Sequence, residues 1–310
     1  MADATRYTHG HHESVLRSHT WRTAANSAAY LLPHLRDGMS VLDVGCGPGT
    51  ITVGLARLVG GAGRVLGVDA APEALEPARR LAQESGLGNV SFTLGEVEDL
   101  GFPDGTFDVV HAHQLLQHVG DPVAALREMR RVCRPGGLVA ARDADYGAMS
   151  WFPEVAALEE WQRMYRRVAR SNGAEPDAGR RLRSWGRAAG FASVAASGSA
   201  WCYASVEEVR WWASLWADRV MASALHGQAV ERGIATPAEL EEMAAGFGTW
   251  AASGDAWFLV PHGELLGRVG SPQSPGSART TTETLAQRGE DGVGDESRHV
   301  PPVRDDLLDE

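Results

Sequence analysis

The chain has 310 residues, 44% of them hydrophobic, which is enough for one large domain or two modest ones without disulfide or metal staples. With 29 basic against 40 acidic residues the formal charge is −11, which argues against a nucleic-acid partner, because phosphate-backbone binders concentrate positive charge. Every basic residue is arginine, and the absence of lysine excludes a Walker-type phosphate-binding lysine, a Schiff-base lysine and a Tyr/Lys dehydrogenase pair.

Residues 15–35 read as a helix packing beside the first strand, so 1–36 are expected to form an N-terminal helical segment or lid. From residue 37 short β-rich runs alternate with helical stretches, the pattern of a parallel sheet flanked by helices. Strands are predicted over 40–44, 64–69, 90–94, 107–111 and 137–142. Helices over 50–58, 72–85 and 122–132 each open beside a first-turn signal: Thr50, Pro72 with Glu73, and Asp121 with Pro122. An Arg134-Pro135-Gly136-Gly137 turn is expected to stop the last of these and start the next strand.

After Arg142 the rhythm changes. Helices are predicted over 154–170 and 178–189, a β-like run over 193–203, a Trp-rich helical pair over 206–225 and 237–252, and a last strand over 256–269. The insertions 145–190 and 204–254 are expected to cap a substrate pocket within a domain spanning 37–269. From 270 to 310 Ser, Pro, Gly and charged residues dominate, nine acidic against four basic, and this segment reads as a disordered acidic tail. Cys46, Cys133 and Cys202 are far apart and form no Cys-x-x-Cys pair, which fits a reducing, cytoplasmic compartment. The opening residues are polar, and no apolar run reaches the roughly 20 residues that span a bilayer, so neither signal peptide nor membrane anchor is predicted.

The strongest local signal is the run from Val41 to Thr50, an apolar strand passing through a Gly-x-Gly-x-Gly turn into a helix. Gly45 and Gly47 let a ligand approach the backbone where a Cβ would stand in its way. A dinucleotide phosphate is normally cradled by Gly-x-Gly-x-x-Gly; here the spacing differs and Asp43, near the strand end, would repel a pyrophosphate but suit an ammonium. Asp69 ends the second strand, 20 residues after Gly49, where a carboxylate can accept both hydroxyls of a ribose. Together the two acids suit a cationic nucleoside amino acid. Glu96, Val97 and Glu98 follow the third strand and offer an acceptor and an apolar wall to adenine. The fourth strand exits toward the same crevice at His113 and Gln114. Cys46 reads as a small filler within the loop.

Those residues resemble class I S-adenosylmethionine-dependent methyltransferases of the ubiquinone/menaquinone-biosynthesis type, often labelled type 11. The likeness is carried by VLDVGCGPG, GVDAAPEAL, FPDGTFDVVHAHQLLQHVGDP and LREMRRVCRPGGLV, within a stretch from Val41 to Arg142 that is about a third of the chain. It implies an α/β, Rossmann-like, doubly wound, seven-stranded sheet, mostly parallel with a reversed C-terminal hairpin. It also implies S-adenosylmethionine over the first turn, Gly45 and Gly47 against its methionine portion, Asp69 on the ribose, and Glu96 with Val97 on the adenine. The family usually has Asp followed by Ala at that last contact. The expected cofactor shell extends to Arg22, Asp43, Cys46, Gly49, Thr50, Ala70, Glu98, His113 and Gln114. Arg22 either pairs with the methionine carboxylate through its bidentate fork or is a surface arginine.

A sulfonium methyl is already activated, so alignment and exclusion of water can carry the reaction. If a proton must be removed, His113 and His118 are the catalytic candidates, since histidine titrates in the useful range. His9, His11, His12 and His19 have no carboxylate-supported helix spacing, and no metal is expected. Trp211, Trp212, Leu215 and Trp216 have helical spacing; they read as core, with a second role as the wall of a pocket for a flat, apolar small-molecule acceptor. Two rival functions stay open: an NAD(P)-dependent oxidoreductase, and a non-enzymatic binding module of the same fold. Oligomeric state is not legible.

Overall fold

Short apolar runs form the middle of the sheet in the computed structural model, which describes residues 21–270. Strand β1 (Ser40–Val44) lies between parallel β2 (Arg64–Asp69) and β4 (Phe107–His113). With β3 (Val90–Leu94), β5 (Cys133–Ala144), β6 (Ser150–Phe152), β7 (Ser193–Tyr203) and β8 (Trp257–Arg268), the order is β3-β2-β1-β4-β5-β8-β6, and β7 pairs with the other edge of β8. The first five strands are parallel; β8 runs antiparallel to β5 and to β7. This is the expected reversed hairpin on a mostly parallel sheet, with the three-residue β6 added as an eighth strand.

Helices α2 (Thr50–Leu58), α3 (Pro72–Glu84) and α4 (Pro122–Val132) make the crossovers. Strand alternation sorts their partners. Val41, Val109 and Leu138 pack with Ile51 and Leu55 of α2 on one face. On the other, Leu42, Val110 and Val139 meet Leu126 and Met129 of α4. Leu182 of α6 (Leu182–Ala188) joins that second layer.

A third apolar cluster forms the cap. Helices α5 (Ala156–Ser171), α7 (Val206–Ala222), α8 (Ala224–Glu231) and α9 (Pro237–Ala251) gather around Trp161, Trp216, Phe247 and Trp250, each 0% exposed. Capping boxes at Ser205/Glu208 and Thr236/Glu239 start α7 and α9, satisfying amides that a helix N-terminus leaves open.

Four boundaries depart from the sequence reading. The helix expected over 15–35 is broken in its described part. Thr23 and Asn26 form a reciprocal capping box that starts the four-residue α1 (Ala24–Ser27), Ala28 leaves helical geometry, and a 3-10 turn containing Pro33 follows. Strand β5 begins at Cys133, directly after α4, so the Arg134–Gly137 stretch belongs to the strand, with Gly136 at φ 76° absorbing the irregularity. The helix expected over 178–189 opens instead as a 3-10 turn (Gly179–Arg181) before α6. The helix expected over 206–225 ends at Ala222, where the Ser223 side chain caps α8. The tail from 271 onward and residues 1–20 lie outside the described residues. No described helix is long and apolar enough to cross a membrane.

Candidate active site

The glycine turn is closed on itself. Gly45, Gly47 and Gly49 have φ of 69°, 52° and 79°, a region costly for residues with a Cβ. A Cβ at Gly45 would also lie 3.0 Å from Leu115, and one at Gly49 would meet Ala78 and Phe92 at 2.9 Å. The N–H groups of Gly45 and Cys46 both donate to the Val68 carbonyl (2.8 and 3.0 Å), and that of Gly49 donates to the Cys46 carbonyl (3.1 Å). The Gly47 N–H donates to Asp69 Oδ2 at 2.8 Å, while Ala71 N–H fixes Oδ1 at 2.9 Å. With its amides spent and a carboxylate seated on it, this turn is a poor cradle for phosphate and a good platform beside a ribose. Next to Asp69 the third strand delivers exposed Glu96 and Glu98 and buried Val97, and Ala70 is exposed at the tip. Thr50 opens α2 at the far side of the turn.

Asp43 does not face the crevice. It is 2% exposed, accepts from Thr52 Oγ1 at 2.6 Å, and accepts from His111 Nδ1 at 2.7 Å. Its register partner on β4 is His111, so strand pairing turns the carboxylate into the protein. The direct ammonium contact expected of Asp43 is therefore replaced by a role in fixing β1, β4 and α2 together. Cys46 is 8% exposed, and burial pushes its thiol far above the ordinary range, so it is an inert filler.

At the β4 exit Gln114 adopts φ 50°, the one described residue other than glycine with positive φ. It links three elements. Arg22 Nη2 donates to its Oε1 at 2.7 Å, and its amide N–H donates across 2.9 Å to Nε2 of His262, whose Nδ1 is engaged by the Val260 carbonyl. Its own backbone N–H reaches the Arg142 carbonyl at 2.7 Å. Sparsely populated backbone held by several partners is typical of functional sites. Arg22 is thus not a free surface arginine: it is partly buried, bound to Gln114, and its guanidinium lies 5.8 Å from the Trp201 ring.

Neither catalytic histidine is a ready base. Burial, aided by the charges of Arg22 and Arg142, holds the His113 pKa well below normal, and its ring packs on Trp201 and His262. His118, beside the Gln117 amide at 2.9 Å, is pushed down to about 3 by burial and by Arg22. Between about pH 3 and 6.5 the unfolded chain takes up a proton at this position that the fold excludes. Stability contributed here rises with pH across that window and levels off above it. Asp143, pushed up to about 7 by burial, acts with the opposite sign between about pH 4 and 7. His118→Gln should therefore reduce the gain in urea-unfolding free energy between pH 4 and 6.5, by on the order of 2 kcal/mol relative to the parent. Identical pH profiles for the two proteins would contradict the buried neutral state.

Above Gln114 a narrow cleft is lined by Trp21, Trp201, Tyr203, Trp211, Trp212, Trp216, Met149, Arg22 and Arg219, among others. Trp212 and Trp216 serve both as core and as wall, being 4% and 0% exposed. Trp201, Tyr203 and His262 were not among the residues expected in a site. Their signal was one-sided: Trp201 and Tyr203 share a strand face, and His262 and Glu264 are polar residues alternating in an apolar strand. Among the described residues no group of His, Cys, Asp or Glu gathers as a metal site; the early histidines from His9 to His19 lie outside them.

Residues 35–207, more than half of the chain, match the family model described as a methyltransferase domain. The chain belongs to that methyltransferase family. It is 39% identical over 232 residues to an uncharacterized methyltransferase of Schizosaccharomyces pombe, covering 71% of this chain and 82% of the relative. It is 31% identical over 277 residues to a protein of Aspergillus luteorubrus named a probable methyltransferase, covering 84% and 96%. The solved structure of the YcgJ protein of Bacillus subtilis shares the fold, with TM-score 0.52 at 20% identity over 79% of this chain and 98% of that one. The methyltransferase is S-adenosylmethionine-dependent, as the resemblance implied, and its residues fit that donor. The Asp69 carboxylate is fixed against the glycine turn at the tip of β2, where a ribose can reach it. The oxidoreductase reading falls with this assignment.

Proposed function

We propose that the methyltransferase acts on a small, apolar or aromatic acceptor, at carbon or oxygen, held in the tryptophan-lined cleft. The cleft itself supports this reading: seven Trp and Tyr side chains line it, adjacent to the Gln114 end of β4. Gly45 and Gly47 would line the methionine portion of the donor, Asp69 would hold the ribose, and Glu96 with Val97 the adenine. Bound S-adenosylmethionine supplies an electrophilic methyl group on a sulfonium. The protein's share is alignment and dryness. Arg22, Gln114 and His262 fix the floor, and Trp21 with the cap helices shuts out water. The segment up to residue 36 then works as a lid, and 145–190 with 204–254 as the acceptor cap. An enclosed aromatic cleft and a net charge of −11 favour a small molecule over nucleic acid. Buried, free Cys46 and Cys133 suit a reducing cytoplasm.

Incubation with methyl-labelled S-adenosylmethionine and a panel of phenols, naphthols and quinols should label one class of these compounds. Label appearing only in nucleic acid or protein fractions would overturn the proposal.

A further inference from the structure

The cleft is polarised in one direction. Arg22, Arg219 and the Gln114 amide line it, and no carboxylate does among the described residues. Tyr203 and Trp212, 1% and 4% exposed, stack at 4.4 Å. The hydroxyl of one and Nε1 of the other have no hydrogen-bond partner among the described residues. Buried polar groups are nearly always partnered, and an indole N–H can only donate, so two cleft-lining residues carry donors that an acceptor atom brought by a ligand would satisfy. The guanidinium of Arg219 lies 5.0 Å from the Trp216 ring and that of Arg22 lies 5.8 Å from Trp201, so both cations are held along the aromatic walls. The charges acting on the Tyr203 hydroxyl are those of Arg22, Arg219 and Arg142, against one acid, Glu208, whose side chain caps α7 at the exposed rim.

Taking this cleft as the acceptor site, we propose that the acceptor is an aromatic ring carrying an ionised oxygen, bound as the anion. Trp212 Nε1–H and the Tyr203 hydroxyl donate to that oxygen, in the field of Arg22 and Arg219. The acceptor's proton leaves to solvent before or on binding. A lone pair of the ionised acceptor then forms the bond to the methyl carbon as the carbon–sulfur bond breaks, and the electrons of that bond stay on sulfur. Where a conjugated carbon attacks, its proton leaves to solvent afterwards. Ionisation in the cleft does the work of a general base, which explains why His113 and His118 need not supply one.

The test uses the full chain saturated with S-adenosylhomocysteine and follows tryptophan fluorescence at pH 8. The probes are 2-naphthoate and its neutral isostere, 2-naphthamide. Naphthoate should bind about tenfold tighter or more. Trp212→Phe and Tyr203→Phe should each weaken naphthoate by roughly tenfold while changing naphthamide by less than about threefold, as expected for hydrogen bonds to a charged group. Unchanged affinity for S-adenosylhomocysteine reports that each variant is folded, and the comparison of the two probes on the parent protein decides the question by itself if a variant is not. Equal binding of both probes, or tighter binding of naphthamide, overturns the anion and leaves the aromatic acceptor cleft standing. Binding of neither probe overturns both.

Discussion

Replacing Asp69 by alanine should weaken S-adenosylmethionine binding by about 1.5–3 kcal/mol, roughly 10- to 150-fold, in a calorimetric titration. The carboxylate has two tasks at the tip of β2. It is pinned by Gly47 N–H and Ala71 N–H, and in the proposed site it would meet the donor's ribose from that position. Alanine removes the ribose acceptor and also releases a turn amide at a left-handed glycine, so both the contact and its platform suffer. Asp69→Asn keeps an oxygen for one of the two amides and should fall between. Parent-like affinity in the alanine variant would place the ribose elsewhere.

Trp161→Ala should cost about 3–5 kcal/mol of stability, the range for truncating a large aromatic in a core. Trp161 is 0% exposed and packs edge-on against Trp216 at 4.4 Å and Phe247 at 5.1 Å, joining α5 to α7 and α9. The melting temperature should fall by on the order of 10 °C in scanning calorimetry. Because Nε1 of this ring has no partner among the described residues, Trp161→Phe loses volume but no hydrogen bond seen there and should cost clearly less. A shift of a degree or two for the alanine variant would mean that the cap helices do not share one core.

The donor half of the molecule was legible because its signals are local. An apolar five-residue run, a glycine turn and a helix opening at Thr50 specify β1 and α2 with little help from elsewhere. Asp43 shows the limit. Its position at a strand end was readable, but its orientation depends on pairing with His111, 68 residues away, and a single sequence does not display register. The proposed acceptor side is more strongly non-local. Gln114 gains meaning only where Arg22 and His262, from opposite ends of the described chain, converge on it. The break at Ser223 and the early start of β5 at Cys133 are likewise set by capping and pairing, and neither alters the hydrophobic pattern enough to be seen beforehand.

A crystal grown with S-adenosylhomocysteine addresses the whole account in one density map. The adenosyl group should lie beside Asp69 and Val97, and the sulfur should look toward the space between Trp201, Tyr203 and Trp212. Density for the nucleoside anywhere else, or a sulfur walled off from the tryptophans, would contradict it.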